Sequence, residues 1–197
     1  MDKDGQRWAL MVQGDEAAFE ALFEYYYAQL STYAARFGYD ASFATECVQD
    51  LFVKIWQNRA NLSQPASVKH YLFKALRNTL YNRVEARKKE LYIGSLDDLI
   101  GFELVYEPGD QAYPFSGVSD ELQRQLDRLT ARQREAIYLF YFEELTYQEI
   151  ADMLQINVTA AYKLVYRALE SLRSGYVQSP PPIAQPHTHK KKEAQDS

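Results

Sequence analysis

Basic, amide and aromatic side chains alternate between residues 67 and 90, and their spacing places the polar ones on one outward side of a helix. Cations neutralise phosphates and release counterions, while amides and aromatic rings hold unstacked bases. The mixture predicts a surface for single-stranded nucleic acid rather than for a rigid duplex. A solvated charged helix face, with Tyr71 in the core, fits the same spacing, and the residues alone leave both open. The candidate contacts are Lys69, His70, Lys74, Arg77, Asn78, Tyr81 and Asn82.

Residues 147–173 have the pattern of a helix–turn–helix, with a tight turn at Gln155, Ile156 and Asn157. The apolar side chains predicted to face inward around the second helix are Ile156, Val158, Ala161, Val165, Ala168 and Leu172. Its outward side carries Thr159, Tyr162, Lys163, Tyr166, Arg167 and Glu170, with Ala160 near its start. Such a helix fits the major groove of duplex DNA, where its N-terminal residues meet base edges. A helical hairpin used only for packing gives the same spacing.

A third candidate surface lies on the predicted helix 45–57. Its outer side offers Glu46, Gln49, Asp50 and Lys54, with Phe52 and Trp56 close by. Large aromatic residues beside acidic groups often mark a protein–protein contact. A tryptophan near a helix end is equally typical of a lid on a hydrophobic core, so both interpretations stay open.

Helical periodicity predicts the elements that position these residues. Apolar residues recur at steps of three and four in 15–38, with Asp15 as a candidate cap, and Asp40 and Ser67 open two further helices. The sequences Thr130–Gln133 and Thr146–Glu149 both fit capping boxes, which place helix starts near 131 and 147. The fold class is therefore all-α, with a helical bundle followed by the helix–turn–helix unit.

Composition excludes several classes of protein. The 197 residues carry a net charge of −5 and one cysteine, Cys47, so intramolecular disulfides and cysteine-rich metal sites are excluded. No apolar run approaches the roughly 20 residues of a membrane span, and no signal peptide is expected. There is no glycine-rich phosphate loop, metal-spaced cluster or nucleophile arrangement, so neither an enzyme nor a cofactor is expected. Glu143 and Glu144 are predicted to be a solvated helix end.

Charge is unevenly distributed and outlines the domains. Residues 51–93 carry nine basic and two acidic side chains, whereas residues 94–119 carry five acidic and no basic ones. Glycine and proline also interrupt 94–119, which predicts a flexible acidic linker between a first domain at 1–93 and a second at 120–176. The tail, 177–197, is proline-rich and polar and is expected to be disordered, with His187 and His189 binding no metal.

Three segments resemble the extracytoplasmic-function sigma factors of bacterial RNA polymerase. ATECVQDLFVKIW (44–56) resembles the polymerase-binding helix of that family, with Asp50 in place of the commoner Glu. SVKHYLFKALRNTLYNRVEARKK (67–89) resembles the segment that melts the promoter and reads its minus-ten element. Residues 129–173 resemble the domain that reads the minus-thirty-five element. The three occur in the order and spacing of the family.

The resemblance implies a dissociable promoter-specificity subunit rather than an enzyme. The outer side of helix 45–57, with Phe52 and Trp56, would dock on the clamp helices of the largest polymerase subunit. The loop from Asn61 to Ser67 and the helix after it would hold the melted minus-ten strand. Thr159, Ala160, Tyr162, Lys163 and Arg167 would contact the minus-thirty-five duplex, and the linker would occupy the RNA path of the polymerase. The resemblance also implies an anti-sigma factor, often membrane-tethered, and a cytoplasmic protein that associates with the nucleoid when active.

Two departures from the family pattern affect the second domain. Gln155 stands where the family often has glycine, a residue suited to a positive φ. Tyr162 and Leu164 stand where basic residues are frequent, which predicts either a weak minus-thirty-five contact or one made partly through Tyr162 and Thr159. The competing function is a two-domain helix–turn–helix regulator that acts without core polymerase.

Overall fold

A computed structural model describes residues 2–91, 101–104 and 120–177, and these residues contain α-helices and no strand. A 3-10 turn at Arg59–Asn61 follows the third helix. Within the same ranges no helix has the length and apolar character needed to cross a membrane. The helices are α1 (Lys3–Val12), α2 (Glu16–Ala35), α3 (Ala41–Asn58), α4 (Val68–Leu91), α5 (Asp120–Asp127), α6 (Ala131–Tyr141), α7 (Tyr147–Leu154) and α8 (Val158–Val177).

Helices α1 to α4 form the first domain, and each begins at a polar side chain that caps it. Asp2, Asp15 and Asp40 each accept a hydrogen bond from the backbone N–H three residues later. Ser67 does the same for α4 through its hydroxyl oxygen. These bonds satisfy N–H groups that have no partner inside the helix, which is why the predicted starts at Asp15, Asp40 and Ser67 are confirmed.

The apolar stripe of α2 forms the centre of the first domain. Leu22, Tyr26, Leu30 and Tyr33 are at most 3 % exposed and pack with the buried sides of α3 and α4. The tyrosines enter this core because their hydroxyls have partners, as in the 2.6 Å bond that Tyr26 donates to an Asp4 carboxylate oxygen. The predicted periodicity of α2 is thus confirmed as a buried stripe.

Helix α1 fixes the loop that precedes α4. The indole Nε1 of Trp8 donates to the Ser63 carbonyl oxygen at 3.1 Å, and the Gln64 amide donates to the Gly5 carbonyl oxygen at 3.2 Å. The Trp8 ring also meets Tyr71 edge-on, with centroids 4.9 Å apart. These contacts position the loop predicted to capture bases, and they place Tyr71 against the core.

Helices α5 to α8 form the second domain. Both predicted capping boxes are present, at Thr130 with Gln133 and at Thr146 with Glu149. The side chains that hold the helix–turn–helix together, all at most 2 % exposed, are Ile150, Ala151, Leu154, Ala161, Val165 and Ala168. The inward prediction for Val158 is wrong, since its side chain is 39 % exposed. As the first residue of α8 it has no preceding helical turn to cover it.

The turn of the helix–turn–helix is strained at Gln155, which has φ 54° and ψ 46°. A left-handed conformation costs a side-chain-bearing residue about 1 kcal/mol, whereas glycine adopts it freely. We expect Gln155→Gly to raise the free energy of unfolding by about 0.5–1 kcal/mol in urea denaturation. The matched control, Gln148→Gly at an exposed position of α7, should lower it by a similar amount. If both substitutions changed the free energy of unfolding in the same direction, the strain argument would be contradicted.

Residues 101–104 of the predicted linker pack between the two domains. Phe102 is 1 % exposed and meets Tyr33, Phe37 and Tyr138, with ring centroids 5.2–5.9 Å apart. The Glu103 N–H donates to the Arg36 carbonyl oxygen in the first domain at 2.6 Å. Arg134 Nε, in the second domain, donates to the Phe102 carbonyl oxygen at 2.6 Å. This part of the linker is therefore packed rather than flexible, because the Phe102 side chain is buried between the domains.

Candidate nucleic-acid interface

We call the outward side of α4 from Lys69 to Asn82 the α4 stripe; its cations face the second domain. At its centre Arg77 makes a two-pronged contact with Glu135 of α6: Nε donates to Oε1 at 2.8 Å and Nη2 donates to Oε2 at 3.3 Å. The two side chains are 5 % and 2 % exposed. Arg77, which was predicted to contact nucleic acid, therefore forms a buried ion pair with Glu135 in this structure.

Two tyrosines complete the surroundings of this pair. The Tyr33 hydroxyl donates to Glu135 Oε1 at 2.7 Å, while Arg77 Nη2 donates to the Tyr81 hydroxyl at 2.6 Å and the guanidinium lies 4.1 Å from the Tyr81 ring centroid. Burial alone would lower the pKa of Arg77, but the Glu135 carboxylate raises it overall. Burial and the Glu135 charge also raise the pKa of Tyr33, so its hydroxyl stays a donor.

Three further groups near the start of α4 also meet carboxylates of the second domain. Lys74 Nζ lies 2.7 Å from each oxygen of Asp152 in α7. His70 Nε2 lies 3.1 Å from Asp152 Oδ2 without a hydrogen bond, so this contact is an ion pair only when the imidazole is protonated. Lys69 Nζ lies 2.9 Å from Glu143 Oε2. We call the pairs formed by Arg77–Glu135, Lys74–Asp152 and Lys69–Glu143 the interdomain cluster.

The burial of Glu143 corrects the expectation of a solvated helix end. Its side chain is 6 % exposed, because α6 ends against α4 and Lys69 supplies a counter-charge. Burial and the Glu143 carboxylate together raise the pKa of Tyr138, which hydrogen-bonds to Glu143. The neighbouring Glu144 is exposed, at φ 52°.

The other predicted minus-ten residues have different surroundings. Asn61, Asn78 and Asn82 are exposed. The Ser67 hydroxyl accepts the His70 N–H as the cap of α4. The structure therefore brings Lys69, His70, Lys74, Arg77 and Tyr81 to the domain boundary and leaves the asparagines outside it.

The predicted protein-binding side of α3 is partly engaged with α4. Arg83 pairs with Glu46, at 3.2 Å, and with Asp50. Gln49 and Lys54 are exposed, whereas Phe52 is only 3 % exposed. The polar residues of this side are thus accessible at the surface, and Phe52 is largely buried beneath them.

An apolar groove runs between α2 and α3 and has a volume of about 580 Å³. Its aromatic residues pack together, with Phe19 and Trp56 centroids 4.9 Å apart and Phe23 and Phe52 centroids also 4.9 Å apart. Val53 on its wall is 51 % exposed. We call this the α2–α3 groove; it is lined by Glu16, Phe19, Glu20, Phe23, Gln49, Phe52, Val53, Trp56 and Gln57.

The outward face of α8 is exposed, as predicted from its spacing. Thr159, Tyr162, Lys163 and Arg167 are exposed and Ala160 is half-buried. Tyr162 stacks on Tyr166, with centroids 6.1 Å apart, and meets Tyr147 of α7 edge-on at 5.4 Å. The Tyr166 hydroxyl donates to Glu170 at 2.9 Å. This face therefore carries two cations, Lys163 and Arg167, beside the tyrosine rings that contact one another.

Sequence reasoning missed the carboxylates and the aromatic residue at the domain boundary. Glu135 and Asp152 lie in the segment that resembles the minus-thirty-five domain, but that resemblance assigns them no partner in the first domain. The available signal was that Glu135 falls between apolar residues on the buried side of α6, where an unpaired charge is costly. Its partner lies 58 residues away, beyond any local pattern.

Comparison with known families matches both domains. The model described as sigma-70 region 2 matches residues 22–90, and the one described as sigma-70, region 4 matches residues 119–172. The chain is 30 % identical over 161 residues to the ECF RNA polymerase sigma factor RpoE of Cereibacter sphaeroides, covering 81 % of this chain and 86 % of that relative. It is 28 % identical over 140 residues to the ECF sigma factor SigM of Bacillus subtilis, covering 70 % of this chain and 82 % of SigM.

Two solved structures have a similar fold. CnrH, in complex with the cytosolic domain of CnrY, has a TM-score of 0.61 and 21 % identity over 90 % of this chain and 99 % of that one. The sigma factor RpoE of Bartonella quintana, in complex with the anti-sigma factor NepR, has a TM-score of 0.61 and 23 % identity over 82 % of this chain and 98 % of that one.

Proposed function

This chain belongs to the extracytoplasmic-function sigma factors of bacterial RNA polymerase. We propose that three of its surfaces bind core polymerase, the melted minus-ten strand and the minus-thirty-five duplex. As a sigma factor it directs core polymerase to promoters and aids their melting. The observation that carries the assignment of surfaces is that the region 2 match contains α3 and the α4 stripe, while the region 4 match contains the exposed face of α8. It acts as a binding subunit, without an enzymatic step of its own.

The α2–α3 groove and the outer side of α3 bind core polymerase in this proposal. The groove is apolar with a carboxylate rim, at Glu16 and Glu20, and Glu46 and Asp50 lie on the exposed side of α3. Such a surface suits a helical partner with apolar and basic side chains, which fits the clamp helices of the largest subunit. Gln49, Phe52, Lys54 and Trp56 complete the proposed contact.

The α4 stripe and the loop before it take the melted minus-ten strand. Cations at Lys69, Lys74 and Arg77 suit phosphates, and the exposed amides of Asn61, Asn78 and Asn82 suit base edges. Ser67, His70 and Tyr81 complete the set. Extruding a base costs a few kcal/mol, which such contacts offset.

The exposed face of α8 contacts the minus-thirty-five duplex through Thr159, Ala160, Tyr162, Lys163 and Arg167. Only two of these residues are cations, so phosphate contacts there are few. We expect Arg167→Ala to weaken duplex binding and to lower the slope of log K against log salt by about one. The comparison is Lys3→Ala, which removes an exposed cation from α1, and the measurement is fluorescence anisotropy of holoenzyme on promoter duplex at several salt concentrations. An unchanged slope for Arg167→Ala would place that side chain off the DNA.

An anti-sigma factor is a further proposed partner. A solved relative of the same fold, RpoE of Bartonella quintana, is bound to the anti-sigma factor NepR. The α2–α3 groove offers such a protein an apolar site on the surface proposed for polymerase. The proposed site of action is the bacterial cytoplasm, with nucleoid association when polymerase is bound.

The decisive experiment mixes the full chain with core RNA polymerase. Co-elution in gel filtration, followed by transcription that starts at specific promoters, is the expected result. Binding to duplex operators without any binding to core polymerase would instead favour the helix–turn–helix regulator.

A further inference from the structure

We infer that the chain inhibits itself when polymerase is absent, because carboxylates of its second domain occupy the sites on α4 that promoter phosphates need. This inference rests on the proposed function of the α4 stripe. Glu135, Glu143 and Asp152 take the place of the single strand, and the protein binds single-stranded DNA only after the two domains separate.

The pairing with carboxylates involves the three basic side chains of the stripe. The cations Lys69, Lys74 and Arg77 span nine residues of α4, about 12 Å along the helix axis. Each of them lies within 3 Å of a carboxylate oxygen from the second domain. The carboxylates come from three places in sequence, on α6, just after α6 and on α7. One domain thus presents a row of negative charge that is complementary to the other, as a nucleic-acid backbone would be.

Access is blocked by burial as well as by charge. The Arg77 side chain is 5 % exposed, so no phosphate reaches it while Glu135 is in place. Tyr81, beneath the same guanidinium, is also covered on that side. Contact with the centre of the stripe therefore requires the second domain to move away, rather than a rotation of side chains.

The ion pairs between the two domains add little stability to the closed arrangement. A buried ion pair adds little net stability, because desolvation offsets most of the attraction. The exposed Lys74–Asp152 pair contributes little as well. The apolar part of the boundary includes Phe102, packed on Tyr33 and Tyr138, and the direct contact between those two tyrosine rings. A ligand that binds only the open state shifts this balance, and DNA phosphates replace the lost carboxylates.

Polymerase can bind before opening. The lining of the α2–α3 groove includes no residue of the interdomain cluster. The closed chain therefore presents its proposed polymerase site while the cations of its minus-ten site are paired with carboxylates. This gives an order of events in which polymerase binds first and the single strand second.

The test compares two triple variants of the full chain with equal net charge. Glu135→Gln, Glu143→Gln and Asp152→Asn remove the three carboxylates of the cluster. Glu24→Gln, Asp127→Asn and Glu144→Gln remove three exposed carboxylates elsewhere. Fluorescence anisotropy with a labelled mixed-sequence single-stranded 12-mer measures affinity, and small-angle X-ray scattering measures the radius of gyration.

We expect the cluster variant to bind the 12-mer about tenfold more tightly than the control variant and to have a larger radius of gyration. Equal affinities of the two variants, or an affinity gain without expansion, would overturn the inference. Far-UV circular dichroism checks folding, and the single variant Asp152→Asn should show a smaller gain of the same sign, so that the test holds if the triple variant unfolds.

The proposed function is tested separately, by promoter-dependent transcription of the wild-type chain with core polymerase. Transcription by the wild type together with equal 12-mer affinities would discard self-inhibition and keep the proposed function. Absence of transcription together with opening of the cluster variant would discard the function and keep the masking of α4.

Discussion

Arg77→Met is expected to separate the two domains of the polymerase-free protein. The substitution keeps an apolar stem of similar length but leaves Glu135, which is 2 % exposed, without its cation. Removing one partner of a buried ion pair costs about 3–5 kcal/mol, and opening the domains avoids this cost by returning Glu135 to water. A larger radius of gyration in small-angle scattering is the measurement.

The double variant Arg77→Met/Glu135→Gln is the control for this prediction. It removes both charges, and the side-chain carbonyl of the introduced glutamine still accepts the hydrogen bond that Tyr33 donates to Glu135 in the wild type. We expect it to recover the compact state, because a buried pair without charge carries no ionic desolvation cost. Promoter melting should stay low in both variants, since each lacks the proposed contact of Arg77. A compact Arg77→Met variant would show that the ion pair does not hold the domains together.

Val53→Glu is expected to reduce affinity for core polymerase by roughly 30-fold, which corresponds to about 2 kcal/mol at a buried contact. Val53 is 51 % exposed on the wall of the α2–α3 groove, so the protein should fold normally. The new carboxylate would lose its water when a partner fills the groove, next to the existing Glu16 and Glu20. Gel filtration and a binding titration with core polymerase provide the measurement.

Leu10→Glu is the matched control for Val53→Glu. Leu10 is 47 % exposed on α1 and lies outside the groove, so the same change in charge should leave polymerase affinity unaltered. An equal loss in both variants would indicate a general effect of charge, and no loss in either would place the polymerase contact elsewhere.

Much of the site could be predicted because the sequence patterns that place its residues extend over only a few positions. Gln155 occupies the left-handed position that the family pattern assigns to glycine, and the outward residues Thr159, Lys163 and Arg167 are where period 3.6 places them. The prediction that Val158 is buried was wrong, because helical periodicity does not take into account that this residue begins α8. The roles assigned to individual site residues remain predictions.

The sequence by itself determined the helix starts, the buried stripes, the helix–turn–helix and the family, because hydrogen-bonded caps and apolar periodicity act over a few residues. Only the tertiary structure decided that the cations on the outward side of α4 pair with carboxylates of the second domain. Arg77 and Glu135 lie 58 residues apart, and Phe102 belongs to a segment that was predicted to be a flexible acidic linker. The pairing of charges that lie so far apart in sequence depends on how the two domains pack. An outward helix face has the same sequence pattern whether water or another domain lies against it.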